Sequence, residues 1–351
     1  MNGTFSNILI IKPSSLGDIV HALPVLAALR KGFPKARISW MIRPDFAGLV
    51  VNHPDLTKTV IFDRKFLGKS WYHPKAFKAL LSLIKHLRTE KYDLIIDLQG
   101  LFRTGSLSWL SGCKHRIGLS EAREFASIFY TDKVLHTLQN IHMVDYYLSV
   151  VKQSGINQSE ASFILPVSEK DSDSVDKLLR DNKVEPDNYA VLIPGSAHAD
   201  KCWPVENFTN IAERIHNDYG LDIVAGGSMS EKQIVQELKN NSTVSVADLA
   251  GLTSLTQLVE LLRKARLVVS NDTGPGHIAA VLGVPLVMIF GRANPARVGP
   301  YKRENCIAAV EPFSRGFKAN SKNPKYHVGN ITVEEVYEKV CEQLKDYKHQ
   351  L

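Results

Sequence analysis

The sequence has few cysteines and no apolar run long enough to span a membrane. Its four cysteines show no close pair and no zinc-type Cys/His spacing, which predicts free thiols at Cys113, Cys202, Cys306 and Cys341. A bilayer-spanning helix needs roughly 20 apolar residues, and no run approaches that length. The short apolar run near the N-terminus is typical of a first strand rather than of a signal peptide. These absences together favour a cytosolic protein.

Four common catalytic signatures are also missing. The sequence has no Walker A loop, no GxGxxG, no GxSxG and no HExxH. Their absence argues against a P-loop NTPase, a dinucleotide-binding dehydrogenase, an α/β-hydrolase and a zincin. No DxD motif of the kind that holds a metal–diphosphate complex lies between predicted strands. A diphosphate ligand would therefore need a lysine and a helix N-terminus to balance its charge.

The length and the charge distribution suggest two different domains. The chain has 351 residues, and a single core seldom grows past about 250–300 residues. Residues 1–165 carry 21 Lys and Arg against 12 Asp and Glu, whereas the remaining 186 residues carry 22 against 24. The basic first half indicates an anionic partner such as nucleic acid, a membrane surface or a polyanionic substrate, or else a solvated basic face.

Short apolar runs alternate with amphipathic stretches in two rounds, which predicts βαβ units. The first round has strands at 7–12, 37–41, 59–62 and 93–97, and the second at 189–193, 222–225, 267–270 and 286–290. We therefore predict an α/β protein with two Rossmann-like domains, 1–165 and 166–330, whose parallel sheets face a central cleft. A C-terminal helix within 331–351 could pack back toward the N-terminal domain.

The loop after the first predicted strand contains a carboxylate. Asp18 lies near the start of the following helix, where the helix dipole stabilises negative charge. It is either a capping residue or a base placed at the carboxyl edge of the sheet to accept a proton from a substrate hydroxyl.

Three loops of the second domain have residues suited to a phosphorylated ligand. Ser196 and Lys201 could bind phosphate, and Glu231 could bind ribose hydroxyls, although each also fits an ordinary strand-to-helix loop. The string from Asn271 to Ala280 places Asp-Thr-Gly-Pro-Gly before a helix, whose backbone N–H groups form an anion site. Asp272 is expected to brace this loop or bind a sugar hydroxyl.

These strings resemble the motifs of glycosyltransferase family 9, the ADP-heptose:lipopolysaccharide heptosyltransferases. The resemblance rests on residues 271–280 with 283–285 and 290–291, on 12–24, on 97–100, on 122–124 with 129–130, and on Lys201-x-Trp203-Pro204. The motifs extend across nearly the whole chain, and the 122–130 segment resembles heptosyltransferase I. Ala197 and residues 291–295 depart from the family's usual pattern.

The resemblance implies a GT-B fold and an inverting, metal-independent transfer without a cofactor. The donor would be ADP-L-glycero-D-manno-heptose and the acceptor the Kdo/heptose inner core of lipopolysaccharide. Asp18 matches the general base, Ser196 and Lys201 match diphosphate contacts, and Glu231 matches the ribose-binding acid. The motif around the heptose and phosphates corresponds to Asp272, Thr273, Gly274 and His277.

The implied acceptor is an anionic glycolipid, Kdo-lipid A or the heptosylated core, at the cytoplasmic face of the inner membrane. This predicts a cytoplasmic, peripherally bound protein that takes no nucleic acid. The predicted acceptor-binding residues are Ser15, Gly17, Arg103 and Arg123. Arg64, Lys65, Lys114 and Arg116 are further basic candidates, and 62–72 is either a membrane-touching loop or a packed surface loop.

Two alternatives remain open from the sequence. One is a related GT-B transferase with a different nucleotide sugar or acceptor. The other is a non-catalytic protein that binds nucleotide sugars.

Overall fold

The computed structural model describes residues 5–156 and 160–345, and the chain divides into two compact units between Pro166 and Val167. Each unit is built on one six-stranded parallel sheet with helices packed on it. The predicted α/β architecture of two Rossmann-like domains is therefore confirmed.

The first unit contains six strands and five helices. The strands are β1 (Asn7–Ile11), β2 (Arg37–Ile42), β3 (Lys58–Ile61), β4 (Leu94–Asp97), β5 (His115–Leu119) and β6 (Asp132–Val134). The helices are α1 (Leu16–Gly32), α2 (Arg64–Leu67), α3 (Pro74–Glu90), α4 (Phe102–Leu110) and α5 (Met143–Gln153). The strands lie in the order β3-β2-β1-β4-β5-β6, which is the Rossmann order.

The second unit repeats this plan. Its strands are β7 (Tyr189–Ile193), β8 (Asp222–Ala225), β9 (Val246–Asp248), β10 (Leu267–Asn271), β11 (Leu286–Ile289) and β12 (Ile307–Ala308). Its helices are α6 (Glu169–Asp181), α7 (Val205–Tyr219), α8 (Lys232–Asn241), α9 (Leu255–Arg263), α10 (Gly274–Leu282), α11 (Pro295–Val298) and α12 (Val333–Gln343). The order β12-β11-β10-β7-β8-β9 is again the Rossmann order when it is counted from β7.

Continuous apolar runs explain why the central strands form. In β1 and β7, the sequences NILII and YAVLI are buried along almost their whole length, as expected for parallel strands covered on both faces. Helix α1 is buried on most of its surface and packs against α5. The C-terminal helix α12 packs against α7, β11 and β12.

One helix, α6, follows directly after the division between the two units. Helix α6 is highly charged, and only Val175 and Leu179 along it are buried. It packs against α9 through this narrow apolar stripe. So few apolar positions produce a weak helical signal in the sequence. Within the described residues, no helix is long and apolar enough to cross a membrane.

Candidate active site

Both sheets reverse their strand order at a point where open α/β sheets bind ligands. In the first unit this point lies between β1 and β4, and in the second between β7 and β10. The loops that contain the predicted residues follow these strands or their neighbours β5 and β8. The topology therefore brings the predicted residues together at one carboxyl edge in each unit.

Asp18 lies in the first turn of α1, after the loop that follows β1. Its Oδ2 accepts hydrogen bonds from the backbone N–H of Ser15 at 3.1 Å and from Ser15 Oγ at 2.8 Å. This is the capping interaction that the sequence left open as an alternative. The Asp18 side chain is nevertheless 36% exposed, so one carboxylate can cap the helix and still reach a ligand. Gly17, the neighbouring acceptor-binding candidate, is buried.

A buried lysine lies next to this carboxylate. Lys12 Nζ is 3.7 Å from Asp18 Oδ2, and its side chain is only 4% exposed. Burial lowers the pKa of Lys12, but the charges of Asp18, Tyr147 and Asp97 raise it, and the net shift is upward. Lys12 therefore stays charged and attracts the negative charge of Asp18. The sequence alone does not predict this interaction between Lys12 and Asp18, because only the fold shows that Lys12 is buried beside Asp18.

Asp97 holds the adjacent loop after β4. It is fully buried, and its Oδ1 accepts hydrogen bonds from the backbone N–H groups of Gln99 at 2.9 Å and Gly100 at 3.2 Å. The Tyr130 hydroxyl donates to its Oδ2 at 2.8 Å. Burial raises the pKa of Asp97, although these hydrogen bonds oppose the shift. Asp97 thus orients the loop and does not itself face a ligand.

The two predicted acceptor arginines lie on neighbouring loops of the same edge. Arg103 is exposed in the first turn of α4, and exposed Arg123 follows β5. The backbone N–H of Arg123 donates to the carbonyl of Gly100 at 2.8 Å, which ties the two loops together. Arg116, another basic candidate, is used differently: its guanidinium donates to the carbonyls of Phe129 and Cys113.

In the second unit, an ion pair joins two of the predicted loops. Lys201 Nζ lies 2.5 Å from Asp272 Oδ2, and His277 Nε2 lies 3.4 Å from Asp272 Oδ1. Asp272 is 5% exposed and Lys201 33% exposed. Burial raises the pKa of Asp272, but His277 and Lys201 lower it, and the net shift is downward. Asp272 therefore stays ionised and fixes Lys201 beside the start of α10.

Two further residues position this ion pair. Asn271 is fully buried, and its side-chain oxygen accepts from the backbone N–H of Trp203 at 3.0 Å. Its amide nitrogen donates to the carbonyl of Pro194 at 2.7 Å, which joins the β7 and β10 loops. The Trp203 indole is buried and donates to the carbonyl of Ile331 at 2.8 Å. Both lie inside sequence motifs, but their supporting role depends on contacts between distant segments.

The loop after β10 leads directly into the N-terminus of α10. Thr273 is the N-cap residue and Gly274 the first helical residue, and no side chain caps the first turn. Helix N-termini have unpaired N–H groups and a positive end of the dipole, so they favour phosphate. A Cβ on Gly276 would lie 2.9 Å from Ser270 Oγ, so glycine there allows α10 to pack closely on β10.

Glu231 packs against the β7 loop. Its Oε2 accepts from the backbone N–H of Ser228 at 2.6 Å and from Ser228 Oγ at 2.7 Å. A Cβ on Gly195 would lie only 2.7 Å from Glu231 Cγ. Glycine at 195 is therefore what brings Glu231 beside the loop that contains Ser196 and Lys201. The Ser196 Oγ accepts weakly from the backbone N–H of His198 at 3.4 Å.

If Glu231 binds the ribose of ADP, as the family resemblance implies, Gly195→Ala is expected to weaken ADP binding by roughly tenfold or more, because the added methyl group displaces Glu231 and its charge-assisted contacts. Isothermal titration calorimetry with ADP measures the effect. Gly226→Ala is the matched control, since a Cβ there would meet the flexible end of Ile193 at 3.0 Å instead of Glu231. Unchanged ADP affinity in Gly195→Ala would contradict a donor role for Glu231.

Within the described ranges, no group of three or more His, Cys, Asp or Glu side chains is arranged to hold a metal ion. The four cysteines are free thiols, and burial raises the pKa of Cys113 to about 11.

Two Rossmann-like units, each with charged side chains at the carboxyl edge of its parallel sheet, are typical of enzymes that act on nucleotide-linked substrates. The chain belongs to glycosyltransferase family 9 (heptosyltransferase), whose family model matches residues 80–327. The chain is therefore a transferase, and the family resemblance predicted from its motifs is confirmed.

Curated relatives and solved structures agree with this assignment over most of the chain. The Haemophilus influenzae lipopolysaccharide core heptosyltransferase OpsX is 26% identical, over 96% of this chain and 95% of the relative. Lipopolysaccharide heptosyltransferase 1 of Pseudomonas aeruginosa is 28% identical over 84% of this chain and 81% of its own length.

Two solved structures confirm the GT-B fold. A glycosyl transferase family 9 protein from Veillonella parvula superposes with a TM-score of 0.82 at 21% identity, covering 99% of both chains. The Escherichia coli heptosyltransferase WaaC with ADP superposes with a TM-score of 0.74 at 23% identity, covering 96% of this chain and 99% of the other.

Proposed function

We propose that this protein transfers heptose from ADP-L-glycero-D-manno-heptose to the Kdo/heptose inner core of lipopolysaccharide. Its curated relatives are named as lipopolysaccharide heptosyltransferases, and one solved neighbour is described with ADP-2-deoxy-2-fluoro heptose. The observation that carries the proposal is the Lys201–Asp272–His277 cluster at the start of α10. A lysine held beside a helix N-terminus suits a diphosphate.

The second unit binds the donor in this proposal. Lys201, Ser196 and the first N–H groups of α10 contact the diphosphate, and Glu231 accepts hydrogen bonds from the ribose hydroxyls. The Lys201 ammonium uses one of its three N–H donors on Asp272, which leaves donors for a phosphate oxygen. Thr273, Gly274 and His277 line the heptose and its adjoining phosphate. Positive charge here favours ADP as the leaving group.

The first unit binds the acceptor and supplies the base. Ser15, Gly17, Arg103 and Arg123 hold the acceptor, and Asp18 takes the proton from its attacking hydroxyl. That oxygen then forms a bond to the anomeric carbon as the bond from this carbon to the ADP phosphate oxygen breaks. ADP leaves with the electron pair, and the configuration at the anomeric carbon is inverted.

The cation that balances the leaving diphosphate is supplied by the protein in this proposal, so the transfer needs no metal and no cofactor. Lys201 lies 33% exposed at the sheet edge and is therefore accessible to a ligand. The lipid part of the acceptor lies in a bilayer. We therefore place the enzyme in the cytoplasm, bound peripherally at the cytoplasmic face of the inner membrane. The excess of basic residues in the first 165 positions suits this anionic partner.

ADP release upon mixing the protein with ADP-heptose and Kdo₂-lipid A is expected to depend on the acceptor and to persist in EDTA. Release only with a heptosylated core would place the enzyme at the next step of core assembly. If release stopped in EDTA and returned with a divalent cation, the metal-independent mechanism would be wrong. If neither acceptor gave release, the proposed transfer itself would be wrong.

A further inference from the structure

The first unit contains an apolar cavity that no proposed catalytic step uses. It lies among α2, α3 and α4 and has a volume of about 280 Å³. Its inner wall is formed by side chains that are almost all aliphatic, namely Phe62, Leu67, Leu80, Ile84, Leu107 and Leu110. We call this space the α2–α3–α4 cavity. Its lining is suited to a hydrocarbon rather than to a sugar or a phosphate.

A smaller polar cavity of about 150 Å³ adjoins it, and both cavities are lined by Phe62, Arg64 and Arg103. The polar cavity also reaches Ser14 and Gln99, at the carboxyl ends of β1 and β4. It therefore begins at the loop that leads to Asp18. The surface passes from a polar pocket, which reaches the loop before α1, past two arginines, to an apolar pocket.

The two arginines at this junction are available to a ligand. Arg64 and Arg103 are both exposed, and within residues 5–156 and 160–345 neither guanidinium has a hydrogen-bond or ion-pair partner. A guanidinium binds phosphate through paired N–H donors. Exposed Lys65 and Lys69 add positive charge on the same segment. One exposed carboxylate, Glu124, also lines the polar cavity, so the four basic side chains outnumber the acidic one there. The net positive charge complements an anionic headgroup.

The aromatic side chains at the rim are unusually exposed for their size. Trp71 is 84% exposed and Phe102 48% exposed, and both line the α2–α3–α4 cavity. Exposed apolar side chains that lie together beside basic ones are typical of a binding surface. Here they lie at the entrance to a pocket that is apolar inside.

We propose that the α2–α3–α4 cavity binds one acyl chain of the anionic glycolipid acceptor, while Arg64 and Arg103 bind a phosphate of the same molecule. The proposal rests on the proposed function for the identity of the acceptor. The order of the surfaces matches an amphiphile, with the sugar near Asp18, the phosphate at the arginines and the chain in the cavity. The enzyme would then recognise its acceptor by the lipid as well as by the sugar.

Filling the cavity is expected to remove this recognition. Ser106 on α4 and Ser70 in the loop after α2 both line the cavity, and both are half-buried. In Ser106→Phe and Ser70→Phe, kcat/KM for Kdo₂-lipid A is expected to fall about tenfold. This is the loss expected when roughly two methylene groups of the acyl chain are no longer buried in the cavity. For the fully deacylated acceptor, it is expected to stay within about twofold of the wild-type value.

Ser82→Phe is the matched control, since Ser82 is exposed on α3 and does not line the cavity. We expect it to leave both acceptors unaffected. All variants are compared in one detergent condition, so that the effect of the detergent cancels. Equal losses on acylated and deacylated acceptors in both filling variants would overturn the proposal. The filling variants could instead lose kcat/KM for the deacylated acceptor only when phospholipid vesicles are present. That result would show that the cavity binds a lipid of the bilayer and would also overturn the proposal.

A binding measurement separates this inference from the proposed function. Trp40 and Trp203 are fully buried, so Trp109→Phe leaves Trp71 as the one exposed tryptophan. In the Trp109→Phe variant, a lysophosphatidate with a dibrominated stearoyl chain is expected to quench the fluorescence of Trp71. When Ser106→Phe is added to this variant, we expect the quenching to disappear. Quenching without any heptosyl transfer would keep the lipid site and reject the proposed function. Heptosyl transfer without quenching would keep the proposed function and reject the lipid site.

Discussion

Asp18→Asn is expected to lower kcat by about 100- to 10,000-fold, the range that a positioned general base contributes. The amide keeps the size of the side chain and an oxygen that can accept from Ser15, but it cannot take a proton. Affinity for ADP is expected to stay within about twofold, because Asp18 lies in the unit that does not bind the donor in this proposal. Steady-state kinetics and calorimetry with ADP measure the two quantities.

Asp171→Asn is the matched control for loss of a capping carboxylate. Asp171 occupies the same position in the first turn of α6, where its Oδ2 accepts from Ser168 Oγ at 2.7 Å. Helix α6 contains none of the predicted site residues, so the control is expected to change stability slightly and kcat not at all. If Asp18→Asn kept its kcat, Asp18 would be only a capping residue.

Lys201→Met is expected to lower kcat/KM for the donor by about 100- to 1,000-fold, the loss typical of removing one group that stabilises developing charge. The variant also leaves Asp272, which is 5% exposed, without its lysine partner, and His277 Nε2 lies 3.4 Å from its other carboxylate oxygen. Its folded state is therefore expected to lose about 1–3 kcal/mol of the free energy of unfolding. Chemical denaturation and donor kinetics together test both effects.

The same variant is expected to be more sensitive to acid. In the wild-type protein, the pKa of Asp272 lies below its ordinary value of 3.8, because His277 and Lys201 outweigh the effect of burial. A depressed carboxyl pKa contributes stability above the unfolded value, and that stability is lost as the pH falls through the folded pKa. Without Lys201 the pKa rises, so acid unfolding should begin at a higher pH.

Lys264→Met is the matched control for loss of a paired lysine. Lys264 pairs with Asp176 at 2.7 Å in the same unit, but it is the C-cap residue of α9 and lies outside the loops that contain the predicted donor-binding residues. We expect it to lower stability and to leave donor kinetics unchanged. If Lys201→Met matched this control in both readouts, Lys201 would be a structural residue and not a donor contact.

Much of the site could be predicted from the sequence because its residues follow strands that are locally recognisable. The apolar runs of β1, β7 and β10 end in loops rich in small and polar residues, and these runs depend only on neighbouring positions. The loop residues Asp18, Lys201, Glu231 and Asp272 were therefore predicted together with their strands. Helix α6 has no comparable local signal, because its short apolar stripe produces little periodicity.

Other roles depend on segments that are distant along the chain. Asp97 lies on β4, which pairs with β1 more than 80 residues earlier in the chain. Asn271 contacts Pro194 and Trp203, which lie 77 and 68 residues before it. Arg116 belongs to the set of basic candidates by its charge, but its guanidinium is occupied by backbone carbonyls. None of these contacts has a local pattern that a sequence could show.

The α/β class, the two-domain plan, the family and the loops that contain the candidate residues can all be predicted from the sequence alone. Each of these depends on local apolar patterning or on short contiguous motifs. The three-dimensional fold is needed to show which loops meet at the two points where strand order reverses and which charges are buried. It is also needed to show that α2, α3 and α4 enclose an apolar cavity. The reason is physical: strand pairing and helix packing bring together residues from distant parts of the chain, and burial then sets their charge state and partners.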